Sequence, residues 1–193
     1  MGHRIPSTER LADPGTLLAT THPVAGGLRV RLRLARPSDA RGVRAFLEAL
    51  SPETRERRFL HAMPVVPDSV VRHFTFYNPR ERLVVVATAM LGSGIPREQI
   101  VGLADVAHLG AGLAELGVVV DEEQQDRGVG RLLTEVIASL AMHQGATRLK
   151  AELLEKNTAM LRLMQRLGRT VSTVEGGVSV VYAKLGAARR RAA

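Results

Sequence analysis

Residues 118–137 read VVVDEEQQDRGVGRLLTEVI: three valines, a polar stretch, a Gly-x-Gly and an amphipathic run. The valines end a buried strand, and the apolar stripe beyond Gly130 begins a helix. The chain therefore passes from strand to helix through a short loop containing two glycines. The first amides of a helix have no partner within it, and the helix dipole is positive there. Glycines at such a start let an anion approach the backbone, so the loop's amides are predicted to matter more than its side chains. Two familiar phosphate-binding patterns are absent. A dinucleotide fingerprint needs a third glycine at 133, where Leu133 stands, and a P-loop needs a Gly-Lys-Ser/Thr ending that does not occur.

Outward from this loop, strand and helix patterns alternate, which argues for a layered α/β domain. Leu28, Val30, Leu32 and Leu34 alternate with Arg29, Arg31 and Arg33 as a half-buried strand. A helix follows, with Ser38 or Asp39 placed to cap it, and SPETRERRF (51–59) starts another, with Ser51 as cap and Pro52 at its first position. Residues 67–74 suit a third short helix. Strands are predicted at 83–91, 100–109 and 113–120, with a long helix after Gly128 carrying Leu132, Leu133, Val136, Ile137 and Leu140 on one stripe. A strand at 147–155, a helix at 157–168 and a hairpin of strands (170–175, 178–184) about Gly176-Gly177 complete the domain. The domain is placed at 27–185, between a loose leader (1–26) and a basic tail (186–193).

Composition excludes several classes. The chain has 193 residues, 45% of them apolar, which suits one domain with a sizeable core. It has no cysteine, so disulfides, thiolate metal sites and cysteine nucleophiles are out. Its six histidines (3, 22, 61, 73, 108, 143) lack metal-ligand spacing, and no metal is expected. No apolar run is long enough to span a membrane and no signal core opens the chain, so a cytoplasmic location is expected. The net charge of +8 rests on 24 scattered arginines, and aromatics are only 3%, so nucleic acid is not the expected partner. No G-x-S-x-G elbow supports a serine hydrolase.

The run Gln125-Asp126-Arg127-Gly128-Val129-Gly130 resembles the Q/R-x-x-G-x-G/A motif of the GNAT N-acetyltransferase superfamily. NTAMLRLMQRLG, opened by Asn157, is similar to the family's later N-x-x-(A/M)…L-G segment, and the element order from 28 to 184 agrees. The resemblance implies the GNAT fold: a central mixed, mostly antiparallel twisted sheet of about six to seven strands, flanked by helices and splayed at the acyl-CoA site. It implies acetyl-CoA as donor, with the diphosphate on the amides of Gln125, Asp126, Arg127, Gly128, Val129 and Gly130. Arg131 stands beside them, and Asn157 contacts the cofactor arm or caps its helix. The pantetheine arm would pair with the backbone along 116–120, including Val118, Val119 and Val120, where a bulge splays the strand. An amide near Val118 would polarise the thioester carbonyl.

An acceptor lysine, pKa near 10.4, is almost wholly protonated at neutral pH, so a base is needed. Glu115, in AELGVVV on the strand facing the thioester, is the candidate, acting through a water. Many relatives carry a tyrosine seven residues after the asparagine to protonate the departing thiolate; here that position is Met164, and Arg169 replaces a usual Phe. LSPETRERRF (50–59) resembles the L-S-P-E-S-x-x-x-R-F segment of Pat-type bacterial protein lysine acetyltransferases, whose base corresponds to Glu115. The implied acceptor is a protein lysine, for example on an acyl-CoA synthetase. Two alternatives remain: a small amine such as a polyamine or aminoglycoside, or a non-catalytic acetyl-CoA-binding regulator. His108, near Glu115 in sequence, is read as a surface residue.

Overall fold

The computed structural model describes residues 13–154 and 156–186. Its sheet is built from β1 (Thr21–Pro23), β2 (Arg29–Leu34), β3 (Arg82–Leu91), β4 (Arg97–Gly110), β5 (Leu113–Val120), β6 (Arg148–Leu154), β7 (Thr170–Glu175) and β8 (Val178–Lys184). The helices are α1 (Pro14–Ala19), α2 (Ala40–Ala49), α3 (Pro52–Phe59), α4 (Asp68–Thr75), α5 (Val129–His143) and α6 (Thr158–Leu167). The sheet order is β1-β2-β3-β4-β5-β6-β8-β7, eight strands rather than six or seven. All neighbours are antiparallel except β5 and β6. This is a layered α/β architecture with a mixed, mostly antiparallel sheet flanked by helices.

The alternation of side chains along each strand divides the apolar residues between two cores. Val85, Ala87, Ala104, Val106, Ala114 and Leu116 turn toward α5 and α6. Val84, Val86, Leu103 and Val119 turn the other way, against Val43, Phe46 and Leu47 of α2 and Val71 and Phe74 of α4. On α5 the buried face centres on Val129, Leu133, Val136 and Ile137, while Leu132 and Leu140 of the expected stripe are only half-buried. Close packing there demands Gly102: a Cβ would lie 2.8 Å from Leu133 Cδ1.

Residues 13–26 do not form a loose leader. Asp13 caps α1 by accepting from the Thr16 amide at 2.9 Å, Leu17 enters the core, and β1 pairs with β2. Residues 1–12 and 187–193, with the rest of the expected leader and most of the tail, lie outside the described residues. Ser51 caps α3 as expected, accepting from the Thr54 amide at 3.1 Å. Asp39 precedes α2 but does not cap it; its carboxylate accepts from the Arg36 amide (2.7 Å) and from Arg33 (2.7 and 2.8 Å). No helix among the described residues is long and apolar enough to cross a membrane.

Candidate active site

The opening in the sheet follows from hydrogen-bond parity. The Asp121 amide donates to the Val101 carbonyl at 3.0 Å. In an antiparallel pair this sends the main-chain groups of odd-numbered β5 residues toward β4 and those of even-numbered residues toward β6. Gly112 agrees, since its carbonyl accepts from the amides of Thr147 (2.8 Å) and Arg148 (3.1 Å) at the approach to β6. β6 pairs with β5 only at Leu113, Ala114 and Glu115. The main-chain groups of Val118 and Val120 therefore face a gap, not a strand. The splay does not come from a bulge in β5, whose ladder to β4 stays in register from Ala114 to Val120; it comes from β6 leaving after Glu115.

At the mouth of this gap the chain turns into α5. Asp126 (φ 56°) and Gly128 (φ 98°) both adopt the left-handed conformation, and Gly128 occupies the N-cap with no side-chain cap bond. The leading amides of α5 thus remain open, the arrangement that favours an anion. Gln125 differs from expectation. Its amide is committed to the Glu122 carbonyl (3.3 Å), and its side chain donates to the Val120 carbonyl (3.0 Å). It shapes the loop rather than offering an NH. Arg127 also turns aside: its guanidinium lies over Gly26, and its carbonyl accepts from the Ala25 amide at 3.0 Å. Arg131 donates to Glu135 at 2.6 Å.

A groove of about 290 Å³ runs from Val118, Val119 and Val120 to Gln125, Asp126, Gly128, Gly130 and Arg131. It is walled by α6 through Asn157 and Leu163. Among the described residues its charged lining is Arg57, Arg58, Arg131 and Arg162 against Asp126; Arg58 is paired with Asp105 and Arg131 with Glu135, which leaves Arg57 and Arg162 as the cations suited to a polyanionic ligand. Asn157 caps α6, accepting from the Met160 amide at 3.1 Å, so its two proposed roles are compatible in place.

A second cavity, about 460 Å³, lies on the α3–α4 side and contains Glu115. The two cavities share Arg57, Arg58, Val118, Asn157 and Met160 as a common wall. Glu115 stands opposite Lys150 in the β5–β6 ladder, and Lys150 bonds Glu152 at 2.5 Å. The Lys150 ammonium is held above its usual pKa, first by the bond to Glu152, against burial, and further by the charge of Glu115. Deeper in, Asp105 is 4% exposed and bridges two guanidinium groups, Arg58 on one oxygen and Arg82 on the other. Asp105 is the Cα partner of Gly117. Arg58 crosses β5 at that glycine, where any Cβ would collide with its guanidinium, and stacks near Phe59 (5.2 Å) and Phe74 (5.5 Å). The helix that carries it is also pinned at its other end, where the Ser51 amide donates to Glu122 at 2.9 Å.

Of the residues singled out from sequence, Glu115, Val118, Val119, Val120, Gln125, Asp126, Gly128, Gly130, Arg131 and Asn157 all line one cavity or the other. Val129 is wholly buried under the loop, and Arg127 is turned to the N-terminal segment. Met164 is fully buried, and neither of the chain's two tyrosines lines either of these two cavities. Arg169 is exposed. His108 pairs with Ala114, one place along the ladder from Glu115, and its ring meets Gln144 Oε1 at 2.6 Å. Among the described residues no group of three His, Asp or Glu could hold a metal. Sequence reading missed Asp105, Arg82, His73, Gly117 and Arg162. Asp105 had left one signal: it is the lone charge within the apolar run IVGLADVAHL.

The family model for acetyltransferase (GNAT) proteins matches residues 43–168. Among solved structures, the GNAT domain of S. lividans PAT aligns with a TM-score of 0.74 at 26% identity, over 86% of this chain and 96% of that one. A cAMP-binding acyltransferase from Mycobacterium smegmatis aligns at 0.56 with 24% identity, over 89% of this chain but 50% of its own. YncA of Salmonella typhimurium, solved with acetyl-CoA, aligns at 0.57 with 18% identity, over 85% and 98%. The last two show the fold alone. No curated protein matches at a significant level.

Proposed function

Because the chain belongs to the acetyltransferase (GNAT) family, we propose that it transfers acetyl from acetyl-CoA to an amine by direct attack, and that the acceptor is a protein lysine. The observation that carries this reading is the meeting of two cavities at Val118: a cationic groove beside open backbone amides, and a chamber holding Glu115. Acetyl-CoA supplies the activated acyl group. The amides from Asp126 to Arg131 hold its diphosphate, helped by the guanidinium groups along the groove. The main chain of Val118 and Val120 takes the pantetheine arm as a further strand, and the Val118 amide is placed to bond the thioester carbonyl. Losing one such donor typically costs on the order of a hundredfold to a thousandfold in rate.

Glu115 removes the proton from the acceptor ammonium through a water, so that the amine's lone pair attacks and the carbon–sulfur bond breaks. With Met164 buried and no tyrosine in either cavity, the thiolate leaves without a phenol to protonate it. The lysine assignment is supported by LSPETRERRF and by the likeness to the S. lividans PAT domain; an acyl-CoA synthetase is the example we favour, in the cytoplasm. A second reading, a small amine such as a polyamine or aminoglycoside, is favoured by one observation. The chamber of about 460 Å³ falls in the range of small-molecule pockets.

The test is direct. Calorimetry with CoA checks the groove, and labelled acetyl-CoA is then offered with an acyl-CoA synthetase, with lysine peptides and with a panel of small amines. Label on protein or peptide supports the lysine assignment; label only on amines supports the second reading. CoA binding with no transfer to any acceptor would make the chain a regulator, and absence of CoA binding would end the whole reading.

A further inference from the structure

The Glu115 chamber is electrically polarised across the sheet. Arg82 on β3, Ala107 on β4 and Glu115 on β5 lie in one row, each the Cα partner of the next. Two strand spacings separate Arg82 from Glu115, about 10 Å at the backbone. At the Glu115 end, the nearby Glu152 is already engaged by Lys150. At the opposite end, Arg58 and Arg82 share a single carboxylate, both of whose oxygens are committed. That end therefore holds two cations against one anion. His73 supplies no anion there: burial first, then the charge of Arg82, with Arg58 and against Asp105, holds its pKa below the ordinary histidine value.

The surplus is sheltered. The side chains of Arg58 and Arg82 are 15% and 22% exposed, beside Phe59, Phe74 and Val70. Among the described residues, Arg82 donates only to Asp105 and Arg58 Nε is buried with no partner. A guanidinium so placed is stabilised most by a carboxylate, which its fork of donors matches. It is also on the same cavity wall as the group that receives the amine.

We propose that the Arg58–Arg82 end of the chamber binds a carboxylate on the acceptor, so that the preferred substrate is an amine that also carries an anionic group several bonds away. This rests on the acetyltransfer reading above and narrows it. Two sources share that chemistry: a lysine side chain with an acidic residue beside it in a peptide, and a free ω-amino acid. A plain polyamine, cationic at both ends, is disfavoured by the same charges.

The experiment compares matched pairs under steady-state conditions. 4-Aminobutyrate and 6-aminohexanoate are set against alkylamines of equal length, and lysine peptides flanked by Glu against the same peptides flanked by Gln. Carboxylate-bearing members are expected to have kcat/KM about tenfold to a hundredfold higher, the worth of one charge-assisted hydrogen bond. Arg82→Gln is expected to bring them down to their neutral partners while leaving the Kd for CoA unchanged; Arg82→Lys is expected to restore part of the preference. Whether the free acids or the peptides show the effect identifies the source. Equal rates within every wild-type pair would overturn the proposal even if no variant folds, and so would a preference that survives Arg82→Gln. If CoA binds but no amine in the set is acetylated, the acetyltransfer reading falls and takes this one with it. Transfer without a carboxylate preference removes only the present proposal.

Discussion

Gly117→Ala tests how α3 is held over β5. Gly117 does not have a positive φ, so alanine is allowed by the backbone. The obstacle is Arg58, whose guanidinium occupies the space of the new methyl group. Arg58 must move, and its move leaves Asp105, 4% exposed, with Arg82 alone. Removing one partner of a buried ion pair costs about 3–5 kcal/mol when nothing compensates. Arg82 remains, which reduces the loss to about 2–3 kcal/mol on the same scale. Replacing glycine also restricts the unfolded chain, a gain of about 0.4–1 kcal/mol. The net expectation is a destabilisation of about 1–2.5 kcal/mol, or about 2–10 °C in Tm for a chain of this size. A double-mutant cycle isolates the cause. With Arg58→Ala already present, Gly117→Ala is expected to stabilise by about 0.4–1 kcal/mol, the unfolded-chain gain alone, since the collision is gone. Urea melts of the four proteins measure this. An equal cost of Gly117→Ala with and without Arg58 would refute the reasoning.

Three further outcomes follow from the site and its supports. Glu115→Gln is expected to keep the wild-type Kd for CoA and to lose most turnover, checked by calorimetry and by acetyl transfer across the pH range; full activity at every pH would remove the base. Gly128→Val places a branched residue at φ 98° beside the open amides, with no crowding to evict it. It is expected to cost about 1–3 kcal/mol of backbone strain and to weaken CoA binding at least about tenfold, and unchanged CoA affinity in the folded variant would count against the anion loop. Burial pushes the Asp39 carboxyl up, but hydrogen bonds from Arg33 and the Arg36 amide, with their charges, outweigh burial and hold it below its ordinary value. Its folded pKa being depressed, its stabilisation is complete above the unfolded value near 3.9 and is lost as pH falls through the folded one. Asp39→Asn is thus expected to cost about 1–3 kcal/mol at pH 7, a deficit that narrows below about pH 4 in urea melts; a constant deficit would exclude the linkage.

The strands from Leu83 onward were legible because alternation and glycine turns are local signals. The expected hairpin at 170–175 and 178–184 has those bounds in the structure, with Gly176 and Gly177 at φ 58° and 81°. Residues 13–26 were not legible, because their order comes from distant partners: the Ala25 amide on the Arg127 carbonyl, and Leu17 against α5. The open helix start at Gly128 was legible, since a glycine pair between a valine run and an amphipathic run marks a tight strand-to-helix turn. Which of its groups are spent was not: the single turn that engages the Gln125 amide, and the pull of Arg127 toward Gly26, depend on neighbours no periodicity encodes. The Arg58–Asp105 pair spans 47 residues of chain, so no local pattern marks it.

The geometry of β5 explains why one short strand can serve two ligands at once. Two of its odd-numbered residues face the second cavity: Glu115, then Gly117, which is bare so that Arg58 can cross. Its even-numbered residues bury their side chains toward α5 and point their main-chain groups at the gap left by β6. On the reading proposed above, donor recognition draws on backbone, and acceptor recognition on side chains, of alternate residues along the same ladder. Because the two sets have opposite parity, a substitution at 115 leaves the main-chain groups of Val118 and Val120 untouched, whereas one at 117 displaces Arg58, which lines both cavities. The main chain of Val118 and Val120 stays in place only while β6 diverges after Glu115, and a β6 that continued to pair would close both sites together.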